Sequence, residues 1–72
     1  MEVGITVYDR NGVEHQIIIE MPGGSYIPSV GDGLIFNGIV CTIEKRDFQV
    51  VGREKLYAWS LVAKENEEVH EG

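Results

Sequence analysis

Hydrophobic and polar residues alternate along most of this chain, and short glycine-containing segments interrupt the alternation. Residues 3–7 read Val-Gly-Ile-Thr-Val, and the same alternation returns over 13–21 after Asn11-Gly12. A period of two matches a β-strand, because successive side chains of a strand point to opposite faces of the sheet. The pattern therefore predicts strands joined by tight turns, without a helix of amphipathic periodicity.

The turn around Asn11-Gly12 predicts a hairpin whose register can be chosen by comparing its faces. A three-residue loop over 10–12 sets Val7 opposite His15 and keeps the apolar residues of both strands on one face. A two-residue turn would mix polar and apolar residues on both faces. We therefore predict the three-residue loop, with Gly12 at the left-handed position of a G1 bulge.

The second hairpin signal is Asn37-Gly38, a pair typical of two-residue turns. It lies between the apolar segments 34–36 and 39–43. A two-residue turn places Ile35 opposite Val40 on one face, and the other face is apolar as well. Both faces of this hairpin are thus apolar, although an antiparallel sheet needs only one buried face.

The rest of the chain predicts two more strands and one long loop. The strands are expected over 48–51 and 56–63, with a polar turn over 44–47 before the first of them. The loop is expected over 22–29, which contains two prolines and two glycines. A chain of 72 residues holds one small core, and closure of the sheet removes exposed strand edges. We therefore predict an all-β fold, a small SH3-like barrel of five or six short antiparallel strands.

The apolar face of each predicted strand supplies the core. Trp59 shares its face with Tyr57 and Leu61, and no other strand offers comparable bulk, so Trp59 is expected in the core. The predicted core comprises Val3, Ile5, Val7, Ile17, Ile19, Leu34, Phe36, Ile39, Cys41, Ile43, Phe48, Trp59 and Leu61.

Acidic residues are concentrated at the end of the chain. There are twelve acidic and six basic residues, and four of the acidic ones lie within 65–72, which has no Lys or Arg. We predict a barrel domain over 1–64, nearly balanced in charge, and a flexible acidic tail over 65–72. Phosphate backbones repel a negative chain, which disfavours nucleic acid as a partner.

One part of the sequence resembles a known group of proteins. Pro28-Ser29-Val30-Gly31-Asp32, followed by Leu34-Ile35-Phe36-Asn37-Gly38 and a further strand, is similar to small SH3-like β-barrel proteins found in phage and bacterial genomes, most of them uncharacterised. The resemblance covers about half of the chain. It implies the barrel fold and an origin in a mobile element, and it transfers no catalytic residue.

The reactive side chains argue against an enzyme. His15 lies mid-strand on the apolar face, where we expect a histidine bonded to the backbone and not a catalytic base, which needs a cleft and partners. Cys41 is flanked by Val40 and Thr42 and is expected to be a buried structural thiol. These residues have no recognised metal-ligand spacing, and the glycine-rich segments precede no phosphate-binding helix. We therefore expect no catalytic residue, no metal and no cofactor.

A protein-interaction module is the function that the sequence favours. The outward faces of the predicted strands keep apolar residues that a monomer seldom exposes together. We expect an interface with a second copy or another protein, formed by Ile18, Ile35, Val40 and Leu56. This fits a phage- or mobile-element-encoded inhibitor or adaptor that self-associates. The other explanation is that the strands of a small barrel curl and cover both faces.

A small-ligand or nucleotide binder is the alternative function. Aromatic rings would stack on the ligand, and nearby cations would hold its anionic part. The candidate residues are Tyr26, Lys45, Arg46, Arg53 and Lys55, with Tyr57 or Trp59 as further stacking surfaces. A third hypothesis, an acidic mimic of nucleic acid, is disfavoured because mimicry needs carboxylates fixed on a scaffold and these are concentrated in a tail.

The single cysteine and the short apolar runs indicate the compartment. Cys41 alone cannot form an internal disulfide, which fits the reducing cytoplasm. Uninterrupted apolar runs, such as the three isoleucines at 17–19, are far shorter than the roughly 20 residues of a membrane-spanning helix. We therefore expect a cytoplasmic protein without a membrane partner.

Overall fold

The computed structural model describes residues 1–53 and 56–67, which form one five-stranded sheet. The strands are β1 (Glu2–Tyr8), β2 (Glu14–Glu20), β3 (Gly33–Phe36), β4 (Ile39–Val51) and β5 (Leu56–Glu65). Their order across the sheet is β2-β1-β5-β4-β3. The sheet curls, so that the ring of His15 on β2 comes within 5.7 Å of the ring of Phe36 on β3. The expected all-β fold is confirmed, and no helix in this part of the chain is long and apolar enough to cross a membrane.

Asp9 organises the loop of the β1–β2 hairpin. The two strands pair in the predicted register, and Gly12 is left-handed with φ +79°. Asp9 Oδ1 accepts hydrogen bonds from the amides of Asn11 at 2.9 Å and Val13 at 3.0 Å. Its Oδ2 lies 3.0 Å from Nε2 of His15, so this histidine bonds a carboxylate and not the backbone group that we expected. The bond with His15 and the amide of Val13 are the main causes that lower the pKa of Asp9.

The β3–β4 hairpin also has the predicted register, with Ile35 opposite Val40. Asn37 has φ +47° and Gly38 has φ +81°. Two consecutive left-handed residues define a type I′ turn, whose twist matches the right-handed twist of the flanking strands. The turn chemistry of this dipeptide therefore fixes which side chains face each other in β3 and β4.

β4 is longer than the sequence predicts. The polar run 44–47, expected as a turn, belongs to one continuous strand of 13 residues. The pairing with β5 shifts by one residue between Ile43 and Lys45, which marks a β-bulge at Glu44. Because the bulge adds one residue, side chains 46, 48 and 50 face the same side of the sheet as Ile43.

β1 and β5 run parallel, so the prediction of a purely antiparallel barrel is wrong and the sheet is mixed. Ile5 pairs with Leu61, and Val7 pairs with Ala63. The β1–β2 hairpin and the β3–β4–β5 meander are local units, because each pairs strands that follow one another in the chain. Turn chemistry does not determine which outer strands of two such units meet, which is why the alternation pattern did not reveal this pair.

The core lies on the inner face of the curled sheet. Alternation correctly predicted six of its eight buried residues and missed Ala63 and Ile27. Ile27 lies in the loop between β2 and β3, where no strand periodicity marks an inward residue. Several predicted core residues are only partly buried, namely Ile19, Leu34, Phe36, Ile39 and Trp59. Ile17, on the edge strand β2, is 40% exposed, so its assignment to the core is wrong. The buried residues are Val3, Ile5, Val7, Ile27, Cys41, Ile43, Leu61 and Ala63.

The last described residues are bonded to the sheet. β5 continues to Glu65, one residue past the predicted boundary of the domain at residue 64. The amide of Asn66 donates to the carbonyl of Val40 at 2.9 Å, and the hydroxyl of Thr42 donates to Asn66 Oδ1 at 2.6 Å. Residues 68–72 of the predicted acidic tail lie outside the described residues, so the division of the chain into domain and tail stays a prediction.

Gly38→Ala should lower the free energy of unfolding by about 1 kcal/mol, because a Cβ is disfavoured in the left-handed region. Gly33→Ala is the matched control, since Gly33 lies in β3 and an added Cβ there meets open space without a positive φ. Urea unfolding followed by circular dichroism measures both variants. Equal losses of stability would contradict the assigned turn.

Asp9→Asn should destabilise the protein at neutral pH, and its difference from wild type should shrink in acid. The folded-state pKa of Asp9 lies below the ordinary value of 3.8. The carboxylate therefore stabilises the fold fully above that ordinary value, and this contribution is lost as the pH falls through the folded-state pKa.

Unfolding curves between about pH 7 and about pH 2 measure this dependence. Asp47→Asn is the control, because Asp47 forms an exposed ion pair with Lys45 at 3.5 Å and such pairs contribute little. A difference between Asp9→Asn and wild type that stays constant with pH would refute the role of Asp9.

Candidate functional site

Three aromatic side chains lie together on the inner face of the sheet, where β4 and β5 extend beyond the core. The rings of Phe48 and Trp59 are 4.8 Å apart, and those of Phe48 and Tyr57 are 5.7 Å apart. Phe48 pairs directly with Trp59, and Val50 pairs with Tyr57. We call Phe48, Tyr57 and Trp59 the aromatic cluster. Cross-strand aromatic pairs of this kind stabilise a sheet and fix the positions of the rings.

The aromatic cluster is exposed, although it lies on the face that carries the core. Phe48 is 53% exposed, Val50 61% and Tyr57 52%. Trp59 is partly buried and packs against the core, so it connects the cluster to the folded body. The prediction that Phe48 lies in the core is therefore wrong, and Trp59 lies at the border of the core. Alternation predicts which side chains of a strand face inward, but it does not predict how far along the strand the inward side chains are buried.

Arg46 links the aromatic cluster to the loop between β2 and β3. Its guanidinium carbon lies 4.9 Å from the centre of the Trp59 ring, within the range of a cation–π interaction. Its Nη1 donates to the carbonyl of Ile27 and to the hydroxyl of Ser29, both at 3.1 Å. Arg46 therefore ties β4 to the loop that contributes Ile27 to the core.

Asp32 fixes the other end of the same loop. Its Oδ2 accepts hydrogen bonds from the Ser29 amide at 2.8 Å and from the Tyr26 hydroxyl at 2.7 Å. The hydrogen bond from the Ser29 amide lowers the pKa of Asp32 most, followed by that from the Tyr26 hydroxyl and by the positive charge of Arg46. Two of the predicted ligand-binding residues, Tyr26 and Arg46, are thus anchored to the same loop.

The other predicted ligand-binding residues are Lys45, Arg53 and Lys55. Lys45 precedes Arg46 in β4 and so faces the opposite side of the sheet, where it forms an ion pair with Asp47 at 3.5 Å. Arg53 is exposed in the turn after β4. Lys55 lies outside the described residues. Lys45 and Arg46, neighbours in the sequence, therefore face opposite sides of the sheet.

Three of the predicted interface residues, Ile18, Ile35 and Val40, lie on the outer face of the sheet. Ile35 and Val40 are direct neighbours, 72% and 53% exposed. Ile18 is 72% exposed and lies on β2, which is separated from β4 by β1 and β5. Leu56 pairs with Val51 at the far end of β5, and its side chain lies outside the described residues.

A depression of about 460 Å³ lies near the β3–β4 turn and contains an ion pair. Arg10 Nη2 lies 3.0 Å from Glu65 Oε2, and the Arg10 amide donates to Glu65 Oε1 at 2.9 Å. Glu65, the first residue of the predicted acidic tail, is thus bonded within the protein. The lining residues are Arg10, Gly38, Ile39, Val40, Glu65, Asn66 and Glu67.

Cys41 lies in the core, as the sequence predicts for this thiol. Cys41 is fully buried, and burial, followed by the charge of Glu65, raises the pKa of its thiol. A thiol held protonated is a poor nucleophile. Among the described residues, no group of three His, Cys, Asp or Glu side chains could hold a metal ion.

No family model matches this chain, and no curated protein or solved structure matches it. We take the aromatic cluster with Arg46 as the candidate functional site, because its rings are exposed and a cation lies beside them.

Arg46→Gln should lower the free energy of unfolding by about 1 kcal/mol, because it removes the charged donor that holds the loop. Lys45→Gln is the matched control, because it removes an equal charge from the neighbouring position on the outer face. Thermal and urea unfolding measure both variants. If the two substitutions have the same effect, Arg46 contributes only its charge and does not anchor the loop.

Proposed function

We propose that this protein is a non-enzymatic interaction module that self-associates through the aromatic cluster and Val50. The observation that carries the proposal is the exposure of Phe48, Val50 and Tyr57 side by side on one face. Soluble monomers seldom leave a contiguous apolar surface in water, and aromatic residues with arginine are typical of the centres of protein interfaces.

The Trp59 side of the cluster is anchored before any partner binds. Trp59 packs against the core, and Arg46 is hydrogen-bonded to the loop. Interface residues that are already ordered lose little conformational entropy on association, which favours binding. The cluster therefore has both the composition and the order of a binding surface.

The charge distribution favours a second copy as the partner. Segment 44–55, which contains the Phe48 side of the cluster, has four basic and three acidic residues, whereas the rest of the chain has two basic and nine acidic residues. Two copies would repel each other through most of their surfaces. They repel each other least where segment 44–55 of one copy meets the same segment of the other.

The SH3-like fold and the origin in a mobile element are part of the same proposal. Residues 28–38 resemble small SH3-like barrels of phages and bacteria, and the curled five-stranded sheet supports that comparison. We therefore propose an SH3-like module encoded by a mobile element, in which self-association serves an inhibitor or adaptor. The single buried cysteine supports a cytoplasmic location.

The test is the oligomeric state of wild type and three variants, measured by size-exclusion chromatography with light scattering across a range of concentrations. Wild type should form a dimer. Phe48→Ser should weaken association by at least about tenfold, because it removes a ring from the centre of the interface. Val13→Ser is the control, since Val13 is 52% exposed in a loop away from the cluster.

Val40→Glu tests the outer face. It should leave both folding and association unchanged, because Val40 is exposed and lies on the face opposite to the cluster. If Val40→Glu gives a folded monomer and Phe48→Ser does not, the interface lies at Ile35 and Val40. A wild-type protein that is monomeric at every concentration would refute self-association.

A nucleotide or other aromatic anion is the second candidate partner. Arg46 lies over the ring of Trp59, and the exposed Phe48 ring lies beside it, so a base could stack near a fixed positive charge. A ligand that binds the folded state raises the melting temperature by mass action. If ATP, GTP and their monophosphates leave the melting temperature of wild type unchanged, this candidate is wrong.

A further inference from the structure

One edge of β4 has no neighbouring strand in the described part of the chain. β3 pairs with β4 only as far as Thr42, and Ile43 exchanges hydrogen bonds with Gly31 and Asp32. From Lys45 to Val51, β4 pairs with β5 on one side alone. No strand of the described residues pairs with the amide and carbonyl groups on its other side, so a further strand can pair there.

We propose that two copies of this chain pair antiparallel along this edge, about a two-fold axis at Phe48. This inference rests on the proposed function and specifies how the copies meet. Pairing of the two β4 edges would join the two five-stranded sheets into one continuous sheet. It would also set Phe48 opposite Phe48 of the second copy, next to the two aromatic clusters.

The position of the axis follows from length and charge. Phe48 is the midpoint of the unpaired edge 45–51, so an axis there uses the whole edge. In this register Arg46 lies opposite Val50 of the second copy, and Asp47 lies opposite Gln49 of the second copy. No two like charges face each other.

The neighbouring registers are worse. An axis at Arg46 sets two arginines opposite each other, and an axis at Asp47 sets two aspartates opposite each other, both of which destabilise a strand pair. An axis beyond Phe48, at Gln49 or Val50, shortens the paired segment. The register at Phe48 is therefore the one that combines full pairing with compatible charges.

The other edges of the sheet fit a second copy less well. β2 contains Glu14 and Glu20 and no Lys or Arg, so two β2 strands would bring four carboxylates together. β3 has only four residues. The edge of β4 has basic and acidic side chains as well as apolar ones, which suits pairing with itself.

The register predicts opposite effects of two substitutions at one exposed position. Gln49→Lys sets a lysine opposite Asp47 of the second copy, twice in the dimer, and should lower the dissociation constant by about tenfold. Gln49→Glu sets a glutamate opposite Asp47 of the second copy at both equivalent positions of the dimer, and this repulsion should raise the dissociation constant by about tenfold. Sedimentation equilibrium measures both constants.

Gln16→Lys and Gln16→Glu are the matched controls. Gln16 is exposed on the outer face, as Gln49 is, but it lies on β2, and the variants change the net charge equally. They should change the dissociation constant much less. Amide exchange gives a second measurement, because alternate amides of 45–51 should exchange more slowly as the dimer forms while those of β2 do not.

Three outcomes separate the inference from the proposed function. If Phe48→Ser is monomeric but the Gln49 variants behave like the Gln16 variants and the amides of 45–51 stay unprotected, self-association stands and edge pairing is wrong. If the Gln16 variants respond instead, the copies meet along β2. If wild type never associates, both proposals fail.

Discussion

The parallel pairing of β1 with β5 holds this structure together. The β1–β2 hairpin and the β3–β4–β5 meander each fold around their own turns, but neither buries its apolar face alone. Pairing Ile5 with Leu61 and Val7 with Ala63 places the inner faces of both units in one curved surface. The core forms on that surface, and Ile27 reaches it from the loop that joins the two units. Parallel pairing requires distant segments to meet, and contacts between residues far apart in sequence slow folding, so we expect this pair to limit the folding rate.

The sequence predicted the local features well because turn chemistry and alternation act over a few residues. Asn37-Gly38 determined the register of β3 and β4, and the three-residue loop around Asn11 determined that of β1 and β2. The parallel pair was not predictable from such signals. The bulge at Glu44 was not predictable either, because a polar run inside a strand has the same composition as a turn. Ile27 was missed for a related reason, since a single inward residue in a loop leaves no periodic pattern.

The candidate site was predicted in part. Arg46 and Tyr26 were singled out, and both are anchored to the β2–β3 loop. Lys45 was grouped with Arg46 by nearness in sequence, yet neighbouring residues of a strand face opposite sides. Phe48 was assigned to the core because it continues an apolar alternation. Periodicity indicates a direction and not a depth of burial, so a side chain on the inward face is exposed wherever the sheet extends beyond the layer that covers it.

The bulge at Glu44 has a consequence for how this protein can change during evolution. β4 contains one residue more than its pairing with β5 uses, and this residue is accommodated at Glu44, so that Phe48 and Val50 share a face with the aromatic residues of β5 while Lys45 and Asp47 face outward. Deletion of Glu44 would restore regular alternation from Ile43 to Lys45 and leave both sets of side chains in place. One further residue inserted between Arg46 and Phe48 would instead turn Phe48 and Val50 outward. A deletion of one residue should therefore be tolerated at the bulge, whereas an insertion of one residue beyond it should not.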